Sequence, residues 1–373
     1  MFQWSKGRIT RQAHVDIPEG TYEDEHGRRG FFGRVSHLYR LHPPVEATRI
    51  EGPLRPRAFR LGRTPATDAD DPRGDAACIA RNDDASLWVS RRAEAMPFYI
   101  RNAEGDELRF VHRGRGRLET DYGPLAYEPG DYLVIPKGTT YRVVPDGGEQ
   151  LTLILECRGE ITIPDRGLLG RQVPFDPSVL VTPEPCPCTE GEGEWEVRIK
   201  ARGGVTSVFY DFNPLDVVGW KGELTAMKLN VRDIRGLHSD RAHVPPSANC
   251  TWVAPGVMVN TFVPRPLEDA NVLRVPFYHN NVDYDELFFF HEGEFGHMAL
   301  ERGALVHQPQ GIHHGPSRRE LDQSRTLPPM RTDATRVNID LERPLTITAA
   351  GEAAEIADYL ERRYAAGAER SVR

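Results

Sequence analysis

The chain has 373 residues, 39% of them apolar, with a formal net charge of −8 and a mean hydropathy of −0.52. That is enough apolar surface for one large or two medium globular domains, and the lack of a long apolar run argues against a helical membrane span. The acidic balance and dispersed basic residues point away from nucleic acid and towards a small-molecule partner.

Along the chain, 34 glycines and 30 prolines fall between short β-branched or aromatic runs such as Tyr132-Leu133-Val134-Ile135 and Leu151-Thr152-Leu153-Ile154-Leu155. This is the punctuation of an all-β chain. Met1-Phe2-Gln3-Trp4 carries no secretory signal, and five cysteines, an odd number without a disulfide-framework spacing, suit a reducing cytoplasm. Thr64 to Asp75, heavy in Asp, Pro and Gly, reads as a surface loop. Residues 183–194 read as a linker between an N-terminal β domain (1–182) and a C-terminal domain (195–373), and Cys186-Pro187-Cys188 within them lacks the second pair a zinc site would need. One helix is expected, at the end, where Ala353, Ile356, Ala357, Leu360 and Tyr364 form an apolar stripe.

Between linker and helix, His279-x-Asn281-x4-Glu286-x6-Gly293 and Gly303-x5-Pro309-x-Gly311-x2-His314 are the two halves of a cupin signature. They place His279, Glu286 and His314 around one metal, with glycines and prolines framing all three and Leu287-Phe288-Phe289-Phe290 reading as a buried strand. Two imidazoles and a carboxylate leave open coordination positions, an arrangement that suits non-heme Fe(II) oxygenases more than structural zinc. Asn281 stands where many cupins have another histidine, which frees a further position for a chelating substrate and O2. His313 and Asp285 are rival ligands. Strand alternation sends neighbours to opposite faces, and the cupin spacing selects His314 and Glu286.

The framework occurs twice. Asn102-x4-Glu107-x6-Gly114 and Gly130-x5-Pro136-x-Gly138-x2-Tyr141 repeat it, with Ile100 and Tyr141 where the ligands His279 and His314 would stand. The expectation is an all-β pair of cupin (jelly-roll) barrels, the first degenerate, with one metal per chain in the second. Glu107 is then structural or solvent-facing.

With these residues in view the chain resembles the homogentisate 1,2-dioxygenase family, in particular its shorter bacterial branch. The resemblance is carried by Gly33-Arg34-Val35-Ser36-His37-Leu38-Tyr39-Arg40, Pro214-Leu215-Asp216-Val217-Val218-Gly219-Trp220-Lys221-Gly222, Tyr278-His279-Asn280-Asn281 and His314-Gly315-Pro316, in that order. It implies Fe(II), oxidative opening of homogentisate to maleylacetoacetate in tyrosine breakdown, and a homo-oligomer, trimer or hexamer. It also implies iron ligands at His279, Glu286 and His314, an acid/base at His243 in the His243-Val244-Pro245-Pro246 loop with His307 as its catalytic partner in managing protons and charge, and substrate contacts from His307 and Asn281. A histidine suits acid/base work because its ordinary pKa is ~6.5. Phe295 departs from the longer branch, which has a tyrosine there. Two competing readings are a sister dioxygenase acting on gentisate or a substituted hydroquinone, and a metal-binding cupin that is not an oxygenase.

Overall fold

The computed structural model describes residues 4–188, 193–242, 244–274, 277–293, 300–326 and 331–361. The short runs between glycines and prolines form strands, and the strands form two β-sandwich barrels. In the first, a seven-stranded sheet is ordered Met227–Asn230, Asp131–Ile135, Asp106–Arg113, Leu151–Cys157, Ala85–Ser90, Ala77–Arg81, Thr346–Ile347. It faces a six-stranded sheet ordered Gly204–Tyr210, Trp195–Ala201, Tyr99–Asn102, Thr140–Pro145, Gly116–Thr120, Gly123–Tyr127. In the second, a six-stranded sheet runs Cys250–Ala254, Val257–Phe262, Thr335–Leu341, Asp285–Glu292, Ala304–Gln308, Arg57–Arg60, and a three-stranded sheet runs Tyr278–Asn281, Tyr22–Gly27, Val35–Arg40.

The strands do not divide at residues 183–194. Trp195–Ala201 pairs in parallel with Tyr99–Asn102, and Met227–Asn230 pairs with Asp131–Ile135, so both complete the first barrel. Conversely, Tyr22–Gly27 and Arg57–Arg60 complete the second barrel. Such pairings are set by the burial of sheet edges, which no local composition records.

The repeat is visible atom for atom. Asp106 accepts from the backbone N–H groups of Lys137 and Ile161, and Asp285 accepts from those of Gln310 and Leu345. Asn102 and Asn281 each receive two N–H groups from the turn that follows. The barrels pack through one apolar layer, with Phe110 against Phe289 and Tyr132 against Trp252, the ring centroids 5.8 and 6.3 Å apart.

Helices differ from expectation. Arg318–Thr326 is a helix opened by a reciprocal box in which the Ser317 and Glu320 side chains satisfy each other's backbone N–H. The apolar stripe near the end is split. A short helix, Ala349–Ala353, stops because the Ile356 N–H donates to the Ala58 carbonyl and Glu355 bridges Phe59, after which helix resumes at Tyr359. Tyr364 lies outside the described residues. Among the described residues no helix is long and apolar enough to cross a membrane.

Candidate metal centre

His279 sits on Tyr278–Asn281, Glu286 near the start of Asp285–Glu292, and His314 on the segment bridged to His279 by two 3.0 Å backbone hydrogen bonds. The glycine-proline turns on either side carry the chain sharply away, so three side chains from distant positions meet. Their ligand atoms all lie within 4.8 Å of one another. Glu286 Oε1 is 3.5 Å from His279 Nε2, and Oε2 is 3.1 Å from His314 Nε2. A first-row metal with bonds of about 2.1 Å needs neighbouring ligand atoms about 3 Å apart, so the spacing fits.

The tautomers fit as well. Nδ1 of His279 donates to the Phe277 carbonyl at 3.0 Å, and Nδ1 of His314 to the Ile312 carbonyl at 3.1 Å. In the neutral rings both Nε2 lone pairs therefore face a carboxylate, and all three residues are buried. His279 Nε2 has no hydrogen-bond partner. Lone pairs converging in a buried place call for a cation among them. Without one, the charges interact strongly. Burial opposes ionisation of Glu286, but His314 and His279 hold it well below the usual carboxylate range. Burial also works against charge on His279, yet Glu286 raises it, while burial and the His279 charge push His314 down.

Asn281 lies in the site, but its amide is committed. Nδ2 donates to Glu286 Oε1 at 3.0 Å and Oδ1 accepts from Asp283 and Tyr284 N–H. These bonds tie the Glu286 carboxylate to the turn that follows Asn281. His307 lies on the other face of its strand. In the strand pairing it opposes Leu287, and Gln308 opposes Glu286, so alternation turns His307 away from the triad, where its Nε2 meets Asp285 at 2.8 Å. Asp285 is fully engaged there. His313 likewise points outward, 3.1 Å from Asp24. His243 and Phe295 lie outside the described residues.

Pairing parity identifies residues that sequence reasoning missed. Gln308 is buried on the triad's face with Oε1 unpartnered. Asp340, also opposite Glu286, is pushed well above the usual carboxyl range by burial and by the Glu286 charge, and it accepts from Asn338 and Asn260. Phe288, two residues from Glu286 on the same face, is only half-buried.

In the first barrel the corresponding place is closed. Glu107 is buried, accepts from Asn102 at 3.0 Å and from Tyr141 at 2.9 Å, and its partner cation is Arg109, 2.8 Å away. Arg109 occupies the position of Phe288 in the repeat. One guanidinium fills the space that the second barrel leaves beside its carboxylate.

The family model described as homogentisate 1,2-dioxygenase N-terminal matches residues 77–231. A Saccharolobus solfataricus protein provisionally named a dioxygenase is 31% identical over 336 residues, covering 83% of this chain and 87% of that protein. Homogentisate 1,2-dioxygenase of Rhodopseudomonas palustris is 27% identical, covering 86% of this chain and 73% of the relative. Among solved structures, a cupin 2 conserved barrel domain protein from Leptotrichia buccalis matches at 10% identity and a TM-score of 0.34, covering 77% of this chain and 96% of that one. With nearly a third of residues shared across most of both proteins, and a β fold carrying the cupin repeat, the chain belongs to the homogentisate 1,2-dioxygenase family of oxygenases.

Proposed function

We propose that the protein is an Fe(II)-dependent ring-cleaving dioxygenase that opens homogentisate to maleylacetoacetate with O2, holding one iron per chain through His279, Glu286 and His314. The observation that carries this reading is the buried triad, whose two Nδ1–H groups are anchored so that both Nε2 atoms face the carboxylate. Ferrous iron there would supply redox chemistry and open positions for oxygen-bearing ligands.

The chain's own residues do the rest. Asn281 fixes the Glu286 rotamer. Phe288 offers an aromatic wall to the substrate ring, and the Gln308 amide is the group that meets a ring hydroxyl in place of His307. Asp340 holds a proton beside Glu286, and His243 is the acid/base that takes the ring hydroxyl proton. A cytoplasmic setting is supported by five free thiols. A homo-oligomer is supported by Val205 and Phe209, exposed on the sheet-edge strand Gly204–Tyr210.

Oxygen uptake by protein loaded anaerobically with Fe(II) tests the reading, with homogentisate, gentisate and methylhydroquinone in parallel and His314→Ala as control. Uptake with homogentisate, abolished in the control, is expected. Uptake only with another hydroquinone moves the substrate. No uptake with any of them despite bound iron overturns the oxygenase reading in favour of a metal-binding cupin.

A further inference from the structure

A second cluster of histidines and carboxylates lies outside the triad, assembled by the N-terminal segment. Tyr22–Gly27 and Val35–Arg40 are antiparallel, and Glu25 is the register partner of His37 on one side and of His279 on the other. Glu23, Glu25 and His37 therefore share one face, and His14 folds onto it. The rings of His14 and His37 stand edge to face, centroids 4.7 Å apart.

The hydrogen bonds give this cluster a direction. Glu23 is held by the His14 backbone N–H, 3.1 Å from each carboxylate oxygen, and by His14 Nδ1 at 2.6 Å. Nδ1 is thus the donor, and the Nε2 lone pair of the neutral ring looks the other way, 3.8 Å from Glu25 Oε2. His37 Nε2 approaches the same oxygen to 3.6 Å and is buried without a hydrogen-bond partner. A carboxylate gripping the far nitrogen of a histidine whose near nitrogen faces other donors is the outer-shell arrangement of metal-binding histidines. Ligand atoms of a tetrahedral site with ~2.1 Å bonds stand about 3.4 Å apart, a little less than the 3.8 and 3.6 Å that separate His14 Nε2 and His37 Nε2 from Glu25, and His14, Glu23 and His37 can each bring a ligand atom within 4.8 Å of the others. His14 also adopts a left-handed backbone, φ +69°, an uncommon conformation for a residue with a side chain and one that concentrates at ligand clamps.

We propose a second metal site, in which His14 Nε2, Glu25 and His37 Nε2 bind a divalent first-row transition metal and Glu23 orients His14. It pins the N-terminal segment to the second barrel and leaves one coordination position for water or an anionic group. It is independent of the function assigned to the triad.

The test is a count. Chelator-stripped protein is titrated anaerobically with Co(II), passed over a desalting column and analysed for cobalt, together with a Glu25→Gln/His37→Gln double variant and His314→Ala. Two cobalt per chain in the unaltered protein and one in each variant are expected. The count in the unaltered protein needs no variant to fold. One cobalt that survives Glu25→Gln/His37→Gln and is lost in His314→Ala overturns the second site and leaves the triad. One cobalt with the opposite pattern supports the second site and overturns the triad as a metal centre. No retained cobalt in the unaltered protein overturns both.

Discussion

A buried carboxylate needs a cation, and the repeat solves that need twice in different ways. Glu107 takes Arg109, which burial alone would make less basic but which Tyr141 and Glu107 hold charged. Replacing Arg109 by Met strands the Glu107 charge, and breaking such a buried pair costs roughly 3–5 kcal/mol. The midpoint of guanidinium unfolding should fall accordingly, and an unchanged midpoint would show that the pair is dispensable. Glu286 has the phenyl ring of Phe288 at the corresponding place and so leaves room for a metal. The asparagines allow a matched comparison. Asn281→Ala releases Glu286 and should weaken metal affinity about 10–100-fold, as loss of outer-shell partners does, whereas Asn102→Ala should lower stability with metal affinity unchanged. Competition with a calibrated chelator measures both, and equal effects on affinity would refute the distinction. The meeting of the triad was legible in the sequence, because its frame is short-range: His279, Glu286 and His314 stand at fixed offsets from turn glycines. Arg109 was not legible as a stand-in cation, since nothing in its neighbourhood resembles a motif. His307 drew notice by its spacing from His314, whereas strand parity puts Gln308 on the face of the triad.

Elements inherit their limits from the turns that end them. Strands Asp106–Arg113 and Asp285–Glu292 both stop at a glycine in the left-handed region, Gly114 at φ +93° and Gly293 at φ +88°. Their surroundings differ. A Cβ on Gly293 would lie 2.4 Å from the backbone oxygen of Asp333, while on Gly114 it would meet the tip of the Gln150 side chain. Both alanine variants pay about 1–2 kcal/mol for the left-handed backbone, but only Gly293→Ala must also displace main chain. It should be the more destabilised in thermal unfolding, and parity between the two would show that the Asp333 turn yields freely. The glycines themselves were legible as turn markers. The helix Arg318–Thr326 went unforeseen although Ser317 and Glu320 carry its capping box, because it has no apolar stripe to announce it. The stripe from Ala353 onward promised more helix than forms there, since the Ala58 carbonyl captures the Ile356 N–H. Nor can the exchange of strands between barrels be read locally, for it joins residues such as Glu25 and His279 that only the closed sheets bring together.

At the scale of the molecule, the two barrels meet through equivalent strands, so residues at matching positions of the repeat touch each other. Phe110 lies against Phe289, and His112 Nδ1 is 3.0 Å from His291 Nδ1. This is the self-complementary contact of a two-fold interface, written within one chain. Two imidazoles that close cannot both be charged, and one must donate while the other accepts. Burial and the neighbouring His291 push His112 down to about 3, and burial with Arg302 pushes His291 down to about 4. In the unfolded chain both titrate near ~6.5, so below that value the unfolded state binds more protons than the folded one. The contribution to stability is therefore complete above about pH 6.5 and is lost as pH falls towards 4, at about 1.4 kcal/mol per pH unit for each histidine. Other groups titrate in the same range, which makes the difference between proteins the informative quantity. His291→Gln keeps an amide partner for His112 while removing one titration. The loss of unfolding free energy between pH 7 and pH 5 should then be smaller than in the unaltered protein by roughly 2 kcal/mol. Guanidinium titrations at the two pH values measure it. An equal loss in both proteins would mean that the inter-barrel histidines already charge in the folded state, and the apolar layer would have to be opening to water before the chain unfolds.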